Sequence, residues 1–290
     1  MSKNVAILGL GLMGGSLGMA LRNLTRDRPH VRGYARREET RDAALRDGVV
    51  DSVFDDPADC CVGADIVVVC VPVFAIEDVL RESLAGIEQG TVVTDVGSTK
   101  NALSEKAARL LARQGAIFVG SHPIAGSEAS GIEAARADLY NNAVVVVTPN
   151  SDTPQSCIDD VYRLWASLGS RVRQMSALVH DELLARTSHL PHLVAAVLTR
   201  AVLRDDEADA FCGSGFLDST RIASGTEDIW LDIVQSNREA ILVELDVMRD
   251  ELYALRALVA HGGDEDVRSY LRDARLKRLR MDDAGISAHE

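Results

Sequence analysis

The chain has 290 residues, of which 47% are hydrophobic and 26% are charged, an ordinary globular mixture long enough for two domains. The formal net charge of −13 argues against a nucleic-acid or membrane-surface partner, because either requires a basic surface. An anionic small-molecule substrate would therefore need a locally basic pocket. No apolar run approaches the ~18 residues of a membrane span.

The cysteines indicate a reducing compartment. They number five, and the adjacent Cys60 and Cys61 lack the spacing of a metal site. Because the first residues lead directly into a predicted strand, we also expect no signal peptide. We therefore predict reduced thiols in a cytoplasmic protein.

The first predicted unit is a strand, a glycine turn and a helix. Val5–Leu8 is apolar, and Ser16–Leu24 carries apolar residues on one helical face. The turn contains Gly9, Gly11, Leu12, Met13 and Gly14. Such glycines permit a tight turn, a close approach of the backbone to a pyrophosphate, and close packing of helix on strand. We predict that this turn binds a dinucleotide at the N-terminus of the helix.

The end of the second strand bears on the choice of cofactor. His30–Tyr34 reads as a strand, and Ala35, Arg36 and Arg37 follow it. NAD enzymes usually place an acidic residue here for the ribose 2′-hydroxyl, whereas a guanidinium suits the 2′-phosphate of NADP. Two solvated surface arginines are the alternative. We favour NADP, with NAD as the second possibility.

Strands and helices continue to alternate up to residue 174. Further strands are predicted at Ala64–Val71, Thr91–Asp95, Ala116–Val119, Ala143–Thr148 and Arg171–Gln174. Helices are predicted at Phe74–Leu84, Lys100–Arg113 and Pro154–Leu168. Glycine or proline turns follow the strands at Gly9, Pro72, Gly97 and Gly120. Parallel strands bring such turns to one edge of a sheet. We therefore predict an α/β fold with a mostly parallel Rossmann-type sheet, in which Val71, Pro72 and Ser98 adjoin the cofactor.

His122 is the first candidate for a catalytic residue. It follows the predicted strand Ala116–Val119, and Pro123 restricts its backbone to extended geometry. A histidine beyond the carboxyl end of a strand lies at the ligand edge of the sheet and exchanges protons near neutral pH. A structural histidine is the alternative. Ser98, at the end of the neighbouring strand, would either contact the same substrate group or cap a helix.

After Met175 the alternation stops and the pattern becomes helical. We predict a dinucleotide-binding Rossmann domain at 1–174, an all-helical substrate and dimerisation domain at 175–282, and a tail at 283–290. Ser176 is suited to cap the first helix, and Pro191 interrupts or kinks it. The glycines in Phe211–Leu217 predict a loop.

Four more polar side chains are candidates for the site. His189 and His192 are three residues apart, so they lie on one helix face as core histidines, pocket residues or metal ligands. No neighbouring cysteine or carboxylate completes a zinc site, and we predict no metal. Arg221 is either a surface residue or binds a carboxylate through its guanidinium group. Glu128 either caps a helix or lines the site.

A short heptad pattern predicts one apolar seam. Its members Ile241, Leu245, Met248, Leu252, Leu255 and Val259 are spaced 4, 3, 4, 3 and 4 apart. Because it covers fewer than three heptads, we do not expect an autonomous coiled coil. The seam packs either on the chain's own core or on a second subunit, and we favour a homodimer through the helical domain.

Several segments in this order resemble one enzyme family. They are Gly9–Gly14, Asp95–Lys100, Gly120–Glu128, Ser188–His192 and Asp218–Ala223. Together they resemble the prephenate/arogenate (cyclohexadienyl) dehydrogenases of tyrosine biosynthesis. The block Gly-Ser-His-Pro-Ile-Ala-Gly is the most specific of them.

The resemblance implies NAD(P)-dependent oxidative decarboxylation of prephenate and/or arogenate to 4-hydroxyphenylpyruvate and/or tyrosine. It implies that His122 takes the proton of the substrate hydroxyl while Ser98 contacts that hydroxyl and the nicotinamide. It assigns a substrate carboxylate to Arg221. The implied pocket also includes His189, His192, Glu128, Trp230 and Ser214. We expect no appended ACT domain.

Two rival functions share the predicted fold. A 3-hydroxyacid dehydrogenase of the hydroxyisobutyrate type has a similar glycine turn but relies on a lysine in the helical domain, and no lysine occurs between Lys106 and Lys277. A non-catalytic NADP(H)-binding sensor would not need His122 and Arg221 where they stand. Prephenate and arogenate, which differ by a keto or an amino group on the side chain, remain alternative substrates.

Overall fold

Two β-sheets organise the first part of the chain in the computed structural model. The structure describes residues 3–126, 129–205 and 207–283, with 282 and 283 described by their backbone alone. The chain divides into two compact units, Met1–Ile241 and Leu242–Glu290. Both sheets and the described candidate site residues lie in the first unit.

The first sheet has six parallel strands. They are β1 (Asn4–Leu8), β2 (His30–Tyr34), β3 (Ser52–Phe54), β4 (Ile66–Val69), β5 (Val92–Asp95) and β6 (Ile117–Phe118). Their order is β3-β2-β1-β4-β5-β6, which confirms the predicted Rossmann-type sheet. All four residues of β4 are buried, as expected for a strand covered on both faces.

Six helices lie in the part of the chain that forms the two sheets. They are α1 (Leu12–Arg22), α2 (Glu38–Arg46), α3 (Pro57–Cys61), α4 (Val73–Ser83), α5 (Asn101–Ala112) and α6 (Gln155–Ser167). Alternate residues of β1 enter two different apolar clusters, Val5 and Ile7 in one and Ala6 and Leu8 in the other. The core therefore lies on both faces of the sheet.

Helix α1 begins at Leu12, four residues before the predicted start at Ser16. Its first turn contains Gly14, where a Cβ would lie 1.9 Å from the carbonyl oxygen of Gly9. The glycines that were expected only in the turn therefore belong partly to the helix, because they let it pack closely on β1.

A second sheet carries His122 and corrects the predicted strand end. It consists of β7 (Gly120–Ile124), β8 (Val144–Thr148) and β9 (Arg171–Gln174). The central strand β8 pairs antiparallel with β7 and parallel with β9. The prediction of a turn at Gly120 is wrong, because the chain leaves β6 and enters β7 after one residue. A Cβ at Gly120 would lie 2.5 Å from Oγ1 of Thr148, so glycine permits the close approach of β8.

The rest of the described chain is helical. It contains α7 (Ala177–Leu184), α8 (Leu190–Val202), α9 (Ser214–Thr220), α10 (Glu227–Ser236), α11 (Arg238–His261) and α12 (Asp264–Asp283). Ser176 caps α7 as predicted, with its hydroxyl accepting a hydrogen bond from the backbone N–H of Val179. A π-helical turn at Ala185–His189 separates α7 from α8, which confirms the predicted interruption.

The predicted loop at Phe211–Leu217 is wrong in its second half. Helix α9 begins at Ser214, and the extended residue before it is Gly213. Glycine is tolerated at this N-cap position, so its presence marked the start of a helix rather than a continuing loop.

Most of the heptad seam lies in the second unit. Ile241 is buried, whereas Leu252 is 57% exposed and Val259 is 72% exposed. The part of the expected tail beyond Asp283 lies outside the described residues. Within the described chain, no helix has both the length and the apolar character that a bilayer crossing demands.

Candidate active site

A cavity of about 350 Å³ opens beside the carboxyl ends of β1, β4 and β5. It contains six of the predicted cofactor residues, namely Gly11, Leu12, Met13, Val71, Pro72 and Ser98. Its other lining residues are Cys70, Val73, Val96, Gly97, Ala125, Gly126, Ala129, Ser130, Gly131, Ile229, Asp232 and Ile233. The position matches the ligand edge expected for a parallel sheet.

The glycine turn forms a cradle that fits a pyrophosphate. Gly9 has a φ of +107°, and a Cβ there would lie 2.6 Å from the carbonyl oxygen of Cys70. A Cβ at Gly11 would meet no atom within 4 Å, so this residue borders open space. Helix α1 has no side-chain cap, which leaves its first N–H groups for a ligand. Tyr140 braces the turn by donating a hydrogen bond of 2.6 Å to the carbonyl of Met13.

The predicted 2′-phosphate residues lie directly after β2. Ala35 is buried, and Arg36 and Arg37 are exposed. Arg41 fixes the loop, since its guanidinium donates to the carbonyls of Ala35 and Arg36 at 2.8 and 2.9 Å. Among the residues described, neither Arg36 nor Arg37 has an ion-pair partner, so both guanidinium groups are available to a ligand.

His122 belongs to a buried chain of three polar side chains. His122 is 8% exposed, and its Nδ1 atom lies 2.9 Å from Nε2 of His180. Nδ1 of His180 lies 2.7 Å from Oδ1 of Asp181. His122 is not one of the residues lining the cavity, but β7 ends at Ile124, immediately before the lining residues Ala125 and Gly126. His122 is therefore a buried residue of β7 in the second sheet rather than a residue exposed at an open rim.

The hydrogen bonds among His122, His180 and Asp181 define which nitrogen of each imidazole ring carries a proton. The Asp181 carboxylate only accepts, so Nδ1 of His180 carries the proton. Nε2 of neutral His180 then accepts from Nδ1–H of His122. This leaves Nε2 of His122 without a proton, which is the state a general base requires.

Burial and neighbouring basic groups favour neutral His122. Burial lowers the pKa of His122 well below 6.5, and His180, Lys100 and His189 lower it further. A neutral imidazole is therefore the resting state at neutral pH.

Asp181 is anchored at the N-terminus of α5. Its Oδ1 accepts from the backbone N–H of Lys100 and its Oδ2 from that of Asn101, both at 2.8 Å. A carboxylate at a helix N-terminus satisfies free N–H groups and interacts favourably with the helix dipole. The hydrogen bonds that join Asp181 and His180 on α7 to His122 on β7 are thereby fixed to α5, the helix that follows β5 of the first sheet.

Asp95 holds the Ser98 loop against β7. Its carboxylate accepts from the backbone N–H of Gly97 at 2.9 Å and from that of Ser121 at 3.1 Å. It also forms a fully buried ion pair with the Lys100 amine. Burial lowers the pKa of Lys100, and the carboxylate of Asp95 opposes this shift. Ser98, half-buried in the cavity wall, and His122 are thus fixed through one carboxylate.

The two histidines of the helical part differ in their surroundings. His189 is buried, and its Nδ1 lies 3.2 Å from Nδ2 of Asn237, which also donates to the carbonyl of Asp181. His189 therefore carries its proton on Nε2. The ring of His192 stacks on Trp230, with centroids 3.4 Å apart. Burial lowers the pKa of His189 to about 4. Within the described part of the chain, no group of three His, Cys, Asp or Glu side chains is arranged to hold a metal.

The remaining predicted residues are Ser214, Arg221 and Glu128. Ser214 is exposed at the first position of α9, and Arg221 is exposed at the start of the 3₁₀ turn that follows this helix. That turn packs against α8, the helix that carries His192. Glu128 lies outside the described residues.

Five polar residues of the site are absent from the predicted set. They are His180, Asp181, Asn237, Asp95 and Lys100. The adjacent His-Asp pair just inside a capped helix was the available signal for the first two. Asn237 gave no signal, because its role depends on contacts with residues more than forty positions away.

Two family models together match most of the chain. The model described as prephenate dehydrogenase, nucleotide-binding domain, matches residues 17–174. The model described as prephenate dehydrogenase, dimerization domain, matches residues 176–273.

Similar proteins extend over nearly the full chain. The cyclohexadienyl dehydrogenase of Zymomonas mobilis is 32% identical over 96% of both chains. The prephenate dehydrogenase of Bacillus subtilis is 32% identical over 95% of this chain and 75% of its own length.

Solved structures agree with these matches. Prephenate dehydrogenase from A. aeolicus, in complex with hydroxyphenyl propionate and NAD⁺, has a TM-score of 0.89 and 31% identity, covering 97% of this chain and 99% of its own. Synechocystis arogenate dehydrogenase has a TM-score of 0.84 and 28% identity, covering 96% and 99%. A 3-hydroxyisobutyrate dehydrogenase from Salmonella typhimurium, at 14% identity, covers 85% and 88% and shares only the fold, with a TM-score of 0.57. The comparisons thus do not favour the hydroxyisobutyrate alternative, and the chain belongs to the prephenate dehydrogenase family.

Proposed function

We propose that this protein catalyses the NAD(P)-dependent oxidative decarboxylation of prephenate and/or arogenate in tyrosine biosynthesis. The observation that carries the proposal is the His122–His180–Asp181 chain, which leaves Nε2 of His122 as a proton acceptor. The family membership and the dinucleotide cradle support the same reaction.

His122 is the base in this proposal. Its Nε2 atom takes the proton of the hydroxyl group on the substrate's ring. Ser98, in the cavity wall, orients that hydroxyl. The cradle at Gly9, Gly11 and Gly14 would hold a pyridine nucleotide, which would supply the acceptor for the hydride on the carbon that bears the hydroxyl. The bond between the ring and its carboxylate then breaks, carbon dioxide leaves, and the electron pair completes the aromatic ring, whose oxygen takes back the proton from Nε2 of His122.

Substrate binding falls to the helical part. Arg221 would bind a carboxylate as a charge-assisted pair. His189 offers Nε2–H as a donor, and the His192–Trp230 stack forms an apolar wall. Ser214 and Glu128 stay in the proposed pocket on the resemblance alone.

NADP is the proposed cofactor, with NAD as the alternative. Support comes from the two exposed guanidinium groups after β2 and from the absence of an acidic residue at Ala35, Arg36 and Arg37. The relative solved with NAD⁺ shows that a family member binds the other nucleotide.

We also propose the domain boundaries. Strand β9 ends at Gln174 and α7 begins at Ala177, which supports domains at 1–174 and 175–282.

The assembly and the location are proposed as well. The matched dimerization domain and the exposed seam residues Leu252 and Val259 support a homodimer through the helical part. All five cysteines are free thiols, which supports a cytoplasmic location.

A four-way assay tests the proposal. Purified protein is supplied with prephenate or arogenate and with NADP⁺ or NAD⁺, and reduced cofactor and the aromatic product are both measured. We expect turnover in at least one combination, with equal amounts of reduced cofactor and aromatic product. Tight cofactor binding without turnover in any combination would instead support the alternative function, a non-catalytic NADP(H)-binding sensor.

A further inference from the structure

Asp232 is a charged residue in the cavity wall to which no role has yet been given. It lies on α10 between Ile229 and Ile233, and all three line the cavity. Among the lining residues that the structure describes, it is the only one with a charged side chain. Its carboxylate forms no hydrogen bond or ion pair with the residues that the structure describes, so none of these residues neutralises its charge.

The attachment of α10 places Asp232 at one end of the cavity. Ser236, one turn after Asp232, accepts a hydrogen bond of 2.9 Å from the hydroxyl of Thr99. Thr99 directly follows Ser98, and α10 also packs against α4, whose first residue Val73 lines the cavity. These contacts attach α10 beside Ser98 and the start of α4, whereas the pyrophosphate cradle is formed by the glycine turn after β1.

We propose that Asp232 sets the preference of the enzyme for oxidised over reduced cofactor. The inference rests on the proposed function, which places the nicotinamide beside Ser98. The oxidised ring carries a positive charge that the reduced ring lacks. An uncompensated carboxylate in a partly desolvated wall attracts that charge and leaves the neutral ring unaffected. The residue thus favours loading of the reactant cofactor and release of the product cofactor.

The ratio of two dissociation constants isolates this effect. Any repulsion between Asp232 and the phosphates acts equally on both redox forms and cancels when the Kd of NADPH is divided by the Kd of NADP⁺. Only an interaction with the nicotinamide ring changes the quotient. Isothermal titration calorimetry without substrate measures both constants, so no turnover is needed.

The test compares wild-type protein with Asp232→Asn and Asp228→Asn. Asp228 is an exposed residue one turn earlier on α10 and does not line the cavity, so its variant matches the change in net charge. We expect Asp232→Asn to lower the quotient by about threefold to thirtyfold, the range for a screened charge pair near a protein surface. Asp228→Asn should leave it unchanged.

Each outcome has a defined meaning. Equal tightening of both forms by Asp232→Asn would place the carboxylate at the phosphates and overturn the inference, as would an unchanged quotient. If wild-type protein binds neither form, the proposed function itself fails. Should Asp232→Asn not fold, Asp232→Ser serves instead. The wild-type quotient must also decrease as ionic strength rises, because salt screens a half-exposed carboxylate.

Discussion

The Nδ1 atom of His122 lies 2.9 Å from Nε2 of His180, and this contact determines which nitrogen of His122 is free to act as a base. His180 is itself fixed by Asp181, at 2.7 Å. Asp181 therefore determines the tautomer of His122 indirectly, through His180. The arrangement places a base on β7 and its orienting partners on α7.

Removing the base should abolish most turnover without loss of cofactor binding. We expect His122→Asn to lower kcat by ~10²–10⁴, since asparagine fills similar space but does not accept the hydroxyl proton. Steady-state kinetics and cofactor titration measure the two effects. In wild-type enzyme, kcat/KM should fall only below pH 6.5, because burial holds the pKa of His122 below that value. Loss of cofactor affinity in the variant would point to a structural role.

His180 should act through the tautomer of His122. His180→Leu removes the acceptor for Nδ1–H, and we expect kcat to fall by roughly 10–10³ as His122 loses its fixed protonation state. His180→Gln keeps an oxygen acceptor and should retain more activity. Equal losses in both variants, with an unchanged pH profile, would contradict this role. Thermal unfolding of both variants serves as the control for folding.

Neutral buried histidines should make the protein less stable in acid. The pKa of His189 is about 4 in the folded chain and 6.5 when exposed, so between these values only the unfolded state binds the proton. Stability should therefore fall as pH falls from 6.5 toward 4, by up to about 3 kcal/mol from this residue. Urea unfolding at several pH values measures the slope. His189→Gln should flatten it, whereas substitution of the exposed His261 by glutamine should not.

Arg221 should contribute mainly to substrate binding. A charge-assisted hydrogen bond to a carboxylate is worth about 1.5–3 kcal/mol, so Arg221→Ala should raise KM by about tenfold to hundredfold. The kcat value should change little. Arg200→Ala, at an exposed position of α8, is the matched control. A variant that loses kcat while keeping KM would assign Arg221 to the reaction step instead.

The arginines after β2 should select the 2′-phosphate. We expect the double substitution of Arg36 and Arg37 by alanine to raise KM for NADP by about tenfold or more and to leave KM for NAD nearly unchanged. Steady-state kinetics with both nucleotides give the comparison. A strong preference of the wild-type enzyme for NAD would contradict the assignment.

The parts predicted from sequence share local causes. The glycine turn after β1 was recognised because strand, glycines and helix are contiguous in the chain. The capping of α7 by Ser176 and the interruption before Pro191 also depend on neighbouring residues, and the structure has both.

The parts that were missed depend on distant contacts. His122 was selected as a residue, but its placement in a second sheet depends on β8, which pairs with it from more than twenty residues away. The loop predicted around Gly213 shows the same limit, since a glycine marks either a turn or the residue before a helix. Asp181 and Asn237 have meaning only once α7, α5 and α10 are packed.

The π turn at Ala185–His189 has a consequence for the geometry of the pocket. His180 and His189 are nine residues apart, and at about 100° per residue a regular α-helix would point them in opposite directions. The wider turn reduces the rotation per residue, so the angle between them closes to roughly 90°. The π turn thus accommodates one extra residue without turning the two imidazoles away from each other. Deleting one residue from this segment would leave His180 and His189 eight residues apart, and regular winding would then keep the angle between them at roughly 80°.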